Sequence, residues 1–178
     1  VTKINNKWVG KNTDWLGFIK AVKKKTTLKN KKKAFVFGYG GASKAIIYAL
    51  KKEGFKKIYI YNRSDRKLLG INKKRIFEKV SKNNIIKKIK KSDIVINTTP
   101  VDVLAQIVPN NKKLDIFAFD VVYKPKETSF LSHFKKQKRI YGIHMLVYQA
   151  EPCFKDWYGI KPKTDNKLFK HLEKFIKK

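Results

Sequence analysis

Hydrophobic positions along this chain follow two rhythms. In one, short unbroken apolar runs stop at a glycine, asparagine or aspartate: Ala34 to Phe37, Ile58 to Tyr61, Ile94 to Ile96, and Ile116 onward to Tyr123. In the other, apolar residues recur every three or four positions: Trp15, Phe18, Ile19 and Val22, then stretches over 42–52, 84–90 and 130–138. The helical stripe resumes with Met145, Leu146, Tyr148, Phe154 and Trp157, interrupted near Pro152 and ending at Gly159, and an amphipathic helix closes the chain over 167–178. Residues 1–9 read as extended with a turn at Asn5 and Asn6, Ile76 and Phe77 form a short apolar pair, and 139–141 is a short strand stopped by Gly142. Continuous apolar strands alternating with helices predict a mainly parallel sheet covered by helices on both faces.

One strand ends in unusual punctuation. Gly38, Tyr39, Gly40 and Gly41 follow Phe37, and helix-forming residues begin at once with Ala42, Ser43 and Lys44. Gly38 allows a sharp turn, Gly40 leaves room for a pyrophosphate, and the free N–H groups of the helix near Ala42 face the negative charge. The sixth position of the usual glycine pattern is Ser43, so the turn alone is weak evidence, and the flanks decide. The next strand ends in Asn62, Arg63 and Ser64, with Asp65 and Lys67 following, about 20 residues beyond the turn. In a Rossmann-type, doubly wound fold this tip reads the adenosine ribose. An acidic residue there suits NAD, and Arg63 with Lys67 suits the 2′-phosphate of NADP. A solvated basic turn is the plain alternative, and Asp65 could hydrogen-bond a ribose diol.

Other polar residues stay open at this level. Thr13 or Asp14 is a plausible helix N-cap. Tyr123, Lys124 and Pro125 lie just past a strand's carboxyl end, where ligands sit in such sheets. Gln149 is polar on an otherwise apolar helix and faces either ligand or solvent, and His144 has no partner within its own segment.

Composition narrows the classes. The chain is 42% hydrophobic and 13% aromatic, enough for a buried core, and its net charge is +31. Lysines are spread through nearly every segment, mostly at positions predicted to lie on exposed helix faces or in loops. No zinc-finger spacing or aromatic RNA-binding motif accompanies them. Weak nonspecific attraction to nucleic acid at low salt is expected, a specific nucleic-acid partner is not. The single Cys153 excludes an internal disulfide and a cysteine-based metal site, and it suggests a reducing, cytoplasmic setting. No run reaches the ~18–20 apolar residues of a membrane span. The chain begins at Val1 with no signal-peptide pattern, which reads as a fragment or the second half of something.

Five separated motifs then line up in order. They are Gly10-Lys11-Asn12-Thr13-Asp14-Trp15-Leu16-Gly17-Phe18; the Gly38 to Ala45 loop, with Tyr39 in place of a usual alanine; Asn62-Arg63-Ser64 with Lys67; Asp120-Val121-Val122-Tyr123-Lys124-Pro125-Lys126-Glu127-Thr128; and Gly142-Ile143-His144-Met145-Leu146-Val147-Tyr148-Gln149-Ala150, followed by Phe154, Trp157, Gly159 and Pro162. Together, over nearly the whole chain, they resemble the C-terminal, NADP-binding half of the shikimate dehydrogenase family, enzymes of chorismate and aromatic amino-acid biosynthesis. That family reversibly reduces 3-dehydroshikimate to shikimate with NADPH and needs no metal.

The resemblance implies roles. Asp14 becomes one member of a catalytic Lys/Asp pair. Asp14, Tyr123 and Gln149 touch substrate. Gly142, Met145 and the Val121 backbone lie near the nicotinamide, and Gly38, Tyr39, Gly40, Gly41, Ala42, Asn62, Arg63, Ser64 and Lys67 hold the rest of the cofactor. Residues 1–33 are then a linker to a missing N-terminal substrate domain that carries the catalytic lysine, 34–142 the NADP-binding domain, and 143–178 helices that pack back toward the substrate cleft. The chain alone is expected to bind NADP and turn over little. An NAD-using quinate/shikimate dehydrogenase, a catalytically silent nucleotide-binding module and a homodimer all stay open. One departure stands out: Asp102 replaces a family glycine close to the expected nicotinamide end.

Overall fold

The computed structural model describes residues 1–27, 32–64, 75–109 and 112–176. The chain opens with a small antiparallel hairpin, Thr2–Ile4 (β1) and Lys7–Val9 (β2), turned by Asn5 and Asn6 at φ 47° and 59°. Helix α1 spans Asp14–Lys25. The sheet strands are Lys33–Phe37 (β3), Lys57–Tyr61 (β4), Phe77–Lys79 (β5), Ile94–Asn97 (β6), Phe117–Asp120 (β7) and Arg139–Ile140 (β8). They run in the order β5-β4-β3-β6-β7-β8, every pairing parallel. The strand order reverses between β3 and β6, which opens a crevice at the carboxyl edge of the sheet. Helices Gly41–Lys52 (α2), Ile85–Ile89 (α3), Ser129–Ser132 (α4), Gly142–Tyr158 (α5) and Asn166–Glu173 (α6) complete the fold. The doubly wound Rossmann-type architecture is therefore as the hydrophobic rhythm predicts.

Strand pleating divides the core in two. Ala34 and Val36 of β3 meet α1, α2 and α5 through Phe18, Ile46, Leu50 and Met145. Phe35 and Phe37 face the other way, toward Ile85, Ile89, Phe130 and Phe134. Phe18 sets its ring edge-on to Phe119, with centroids 5.0 Å apart, and so fixes α1 over the centre of the sheet. Helix α1 therefore shares the sheet's own core.

Three expectations are corrected. The helix predicted over 130–138 is a single turn, α4, followed by a 3₁₀ turn at Lys136–Lys138. Between them Phe134 pairs with Leu114: the Leu114 N–H donates to His133 O at 2.9 Å, and the Lys135 N–H to Leu114 O at 3.0 Å. Helix α5 runs unbroken through Pro152, flanked by the anchored carboxylate of Glu151, which accepts from Lys20 and Thr164. Strand β7 ends at Asp120, three residues short of Tyr123: the Val122 N–H goes to Asp120 Oδ1 at 3.0 Å instead of a neighbouring strand, and residues 121–124 line a pocket.

Candidate cofactor and substrate site

The order of the strands puts the predicted residues in a row. At the tip of β4, Asn62 donates from Nδ2 to Ser64 O at 2.8 Å, which folds the loop back, and Arg63 beside it is exposed. Lys67 lies outside the described residues. Next in the sheet, Gly38 leaves β3 at φ +95°, and its N–H donates to Tyr61 O at 2.8 Å. A Cβ there would sit 2.5 Å from Thr98 Oγ1, so both conformation and space demand glycine. Tyr39 packs its ring onto the core. Helix α2 begins at Gly41 with Gly40 as its N-cap. No side chain caps it, its first turn carries no acid, and a Cβ at Gly40 or Gly41 would meet nothing within 4 Å. Free N–H groups above an open surface fit a pyrophosphate.

Beyond β6 and β7 the loops form a pocket of about 430 Å³ lined by Thr98, Thr99, Pro100, Val121, Val122, Tyr123 and Lys124. Val121 and Tyr123 also line a second pocket, of about 130 Å³, with Asp14, Gly142, Met145, Leu146 and Gln149. Every residue that the family resemblance assigns to substrate or nicotinamide meets there. Gly142 lets α5 start close to β7, since a Cβ would lie 2.6 Å from the Asp120 and Val121 carbonyl oxygens. Among the described residues the lining supplies a carboxylate and an amide but no ammonium group.

Two contributors were not singled out from the sequence. Leu146, 40% exposed, forms part of the pocket wall. Thr13 occupies the N-cap position of α1 without capping it: its hydroxyl donates instead to Gln149 Oε1 at 3.1 Å and lies 3.5 Å from Cys153 Sγ. That contact engages the oxygen of the Gln149 amide, whose side chain lines the smaller pocket. The Asp14 N–H is met by Asn12 Oδ1 at 3.1 Å. His144 is elsewhere. Its ring packs edge-on against Phe169 at 4.8 Å and stacks on Tyr148, and burial holds its pKa below the usual histidine value. It is a packing residue. A larger groove, about 780 Å³, runs between Leu16, Lys20 and Lys23 of α1 and Glu151 and Lys155 of α5, and holds none of the predicted site residues.

Beneath the crevice lies a buried polar network. Asp120, 1% exposed, accepts from Asn97 Nδ2 at 3.1 Å, the Val122 N–H at 3.0 Å and Thr128 Oγ1 at 2.7 Å. Burial outweighs these donors and pushes its pKa up to about 6, from 3.8. The folded state therefore binds this proton more tightly than the unfolded chain. Its contribution to stability is present near pH 4 and is lost as pH rises through about 6. Denaturant unfolding of wild type and Asp120→Asn between pH 4 and 7 is expected to show the difference moving about 2–3 kcal/mol in favour of wild type on acidification. A pH-independent difference would contradict the assignment.

An open, twisted parallel sheet with an uncapped helix N-terminus at its switch point defines a Rossmann-type nucleotide-binding fold. The chain belongs to the shikimate / quinate 5-dehydrogenase family, whose model matches residues 20–114. It is 36% identical over 169 residues to the shikimate dehydrogenase (NADP(+)) of Dictyoglomus turgidum, covering 89% of this chain and 61% of that one. The crystal structure of shikimate dehydrogenase from Aquifex aeolicus superposes with a TM-score of 0.75 at 35% identity, over 90% of this chain and 61% of that one. The Thermus thermophilus enzyme, in complex with NADP(H) and shikimate, gives 0.72 at 27% identity over the same shares. The chain thus spans about three fifths of the length of these relatives.

Proposed function

We propose that this chain is the NADP-binding portion of a shikimate dehydrogenase, acting in the reversible NADPH-dependent reduction of 3-dehydroshikimate. The observation that carries this is the row of residues along the sheet's carboxyl edge. It runs from Arg63, through the glycine turn and Thr98, to Val121 and Tyr123, and ends at Asp14 and Gln149. A dinucleotide laid along that row has its 2′-phosphate at Asn62, Arg63 and Ser64, with Lys67 three positions further along the sequence. Its pyrophosphate lies on Gly38, Tyr39, Gly40, Gly41 and Ala42, and its nicotinamide against Val121, Gly142 and Met145. The bound cofactor supplies the hydride. The chain's own groups then orient the substrate: Gln149, its oxygen engaged by Thr13, offers N–H donors, Tyr123 offers its hydroxyl, and Asp14 handles the proton of the reacting hydroxyl.

On this reading the partner of Asp14 is a lysine of the substrate-binding portion that the family resemblance implies. Residues 1–33 lead to it, 34–142 bind the cofactor, and 143–178 return to the substrate cleft. The reading is of a cytoplasmic enzyme. No helix among the described residues is long and apolar enough to cross a membrane.

Joined to the substrate-binding portion of a relative, the chain is expected to reduce NADP⁺ when given shikimate. Asp14→Asn in that protein should lower kcat by ~10²–10⁴-fold with NADPH affinity unchanged, as removal of a proton-handling group does. A joined protein whose turnover is indifferent to Asp14 would sink the assignment.

A further inference from the structure

Asp102 does not line either pocket of the crevice, although it stands close to the nicotinamide end in sequence. Its carboxylate turns inward. Oδ1 accepts from the Leu104 N–H at 2.9 Å, and Oδ2 accepts from His133 Nε2 at the same distance. Both side chains are nearly closed off from water, at 10% and 4% exposure. His133 closes the carboxyl end of α4. At the other end of that helix Thr128 donates to Asp120 Oδ2 at 2.7 Å and accepts from the Leu131 N–H at 3.2 Å. Asp120 in turn holds Asn97 and the Val122 N–H, while Asn97 Oδ1 accepts from the Thr99 N–H and hydroxyl at 3.0 and 2.7 Å. One short helix is thus tied by its two ends to the two loops that form the 430 Å³ pocket: through Thr128 and Asp120 to the wall 121–124, and through His133 and Asp102 to the wall 98–100.

From this geometry we infer that Asp102 and His133 are positioning residues for the cofactor's nicotinamide-ribose half: they set the separation of the two walls between which that half lies. The inference rests on the NADP reading given above. Removing the tie lets the 98–103 loop drift from the wall that carries Val121 and Tyr123. The adenosine half is held by Arg63, at the β4 tip across β3 from this loop, and by the glycine turn, whose neighbour Thr98 stays bonded to Phe37 O through its own N–H and hydroxyl. A buried donor left without its acceptor adds to the drive for the loop to move.

The test compares NADPH with 2′,5′-ADP, which carries only the adenosine half and its 2′-phosphate. Asp102→Ser keeps a short acceptor for the Leu104 N–H but cannot reach His133. It is expected to weaken NADPH binding about tenfold, the loss of one strong hydrogen bond, while 2′,5′-ADP binds as in wild type. Asp102→Asn, which retains length, keeps its oxygen on the Leu104 N–H and donates from Nδ2 to His133 Nε2 in the other ring tautomer, restores most of the loss. If Asp102→Ser does not fold, as judged by circular dichroism, His133→Phe keeps the ring volume, removes the donor and carries the same comparison. Equal weakening of both ligands, or of neither, overturns the positioning role. A wild-type chain that binds neither ligand overturns the NADP reading itself, and the inference falls with it.

Discussion

Arg63→Ala is expected to weaken NADPH binding by about tenfold to a hundredfold, the worth of charge-assisted hydrogen bonds to a phosphate, and to leave NADH binding unchanged. Arg63 stands one residue past Asn62, whose amide closes the β4 tip onto Ser64 O, so the guanidinium projects from a turn that is already folded. Tyr61, the last residue of β4, pairs with Phe37 of β3, and its carbonyl receives the Gly38 N–H. The basic tip and the glycine turn are therefore adjacent by strand register. A charge of +31 means that some nonspecific attraction of any phosphate is expected, and salt screens it. The comparison therefore belongs at about 0.15 M salt, where a ligand with and a ligand without the 2′-phosphate separate a specific contact from the general field. Equal losses for NADPH and NADH would show that Arg63 acts on something other than the 2′-phosphate.

Gly17→Ala is expected to destabilise the fold by about 3 kcal/mol, toward the upper end of overpacking costs, and to lower Tm by roughly 5–10 °C. Gly17 lies on the face of α1 that meets α5. A Cβ there would come within 2.6 Å of Met145 O, 2.7 Å of Gln149 Cβ and 2.8 Å of Gln149 N. Backbone cannot retreat as a flexible side chain can, so the two helices must separate. The separation also parts Asp14 and Thr13 from Gln149, which sit one turn away on the same helix pair. Thermal unfolding reads the stability. A Tm within a degree or two of wild type would show that the helices part cheaply and that this contact does not fix the pocket.

The fold was legible where hydrophobic rhythm is strongest. The unbroken apolar runs at 34–37, 58–61 and 94–96 are central strands, each too short for a typical helix and stopped at once by Gly38, Asn62 or Asn97. The 130–138 segment misled because its apolar spacing suits a helix, while the Leu114 pairing that breaks it comes from a residue far back in the chain. The same limit applies at the site. Asp14, Tyr123 and Gln149 were reached through a family pattern, and nothing local to any of them says that they share a pocket. The Thr13 contact to Gln149 spans 136 positions, and Asp102 meets His133 across 31. Such pairs leave no periodic signal. Thr13 looked like a helix cap because threonine before a helical stripe usually is one. The tie to α5 wins here, and Asn12 meets the Asp14 N–H instead.

Hydrogen–deuterium exchange of the chain with and without NADPH tests the central claim most directly, since it reads where along the sheet the ligand lies. Protection is expected at the start of α2 around Gly40 to Lys44, at Arg63 and Ser64, and in the two loops around Thr98 and Val121 to Tyr123, with the β1–β2 hairpin unchanged. Binding without protection at the α2 start and the β4 tip, or protection confined to the lysine-lined groove between α1 and α5, would contradict it.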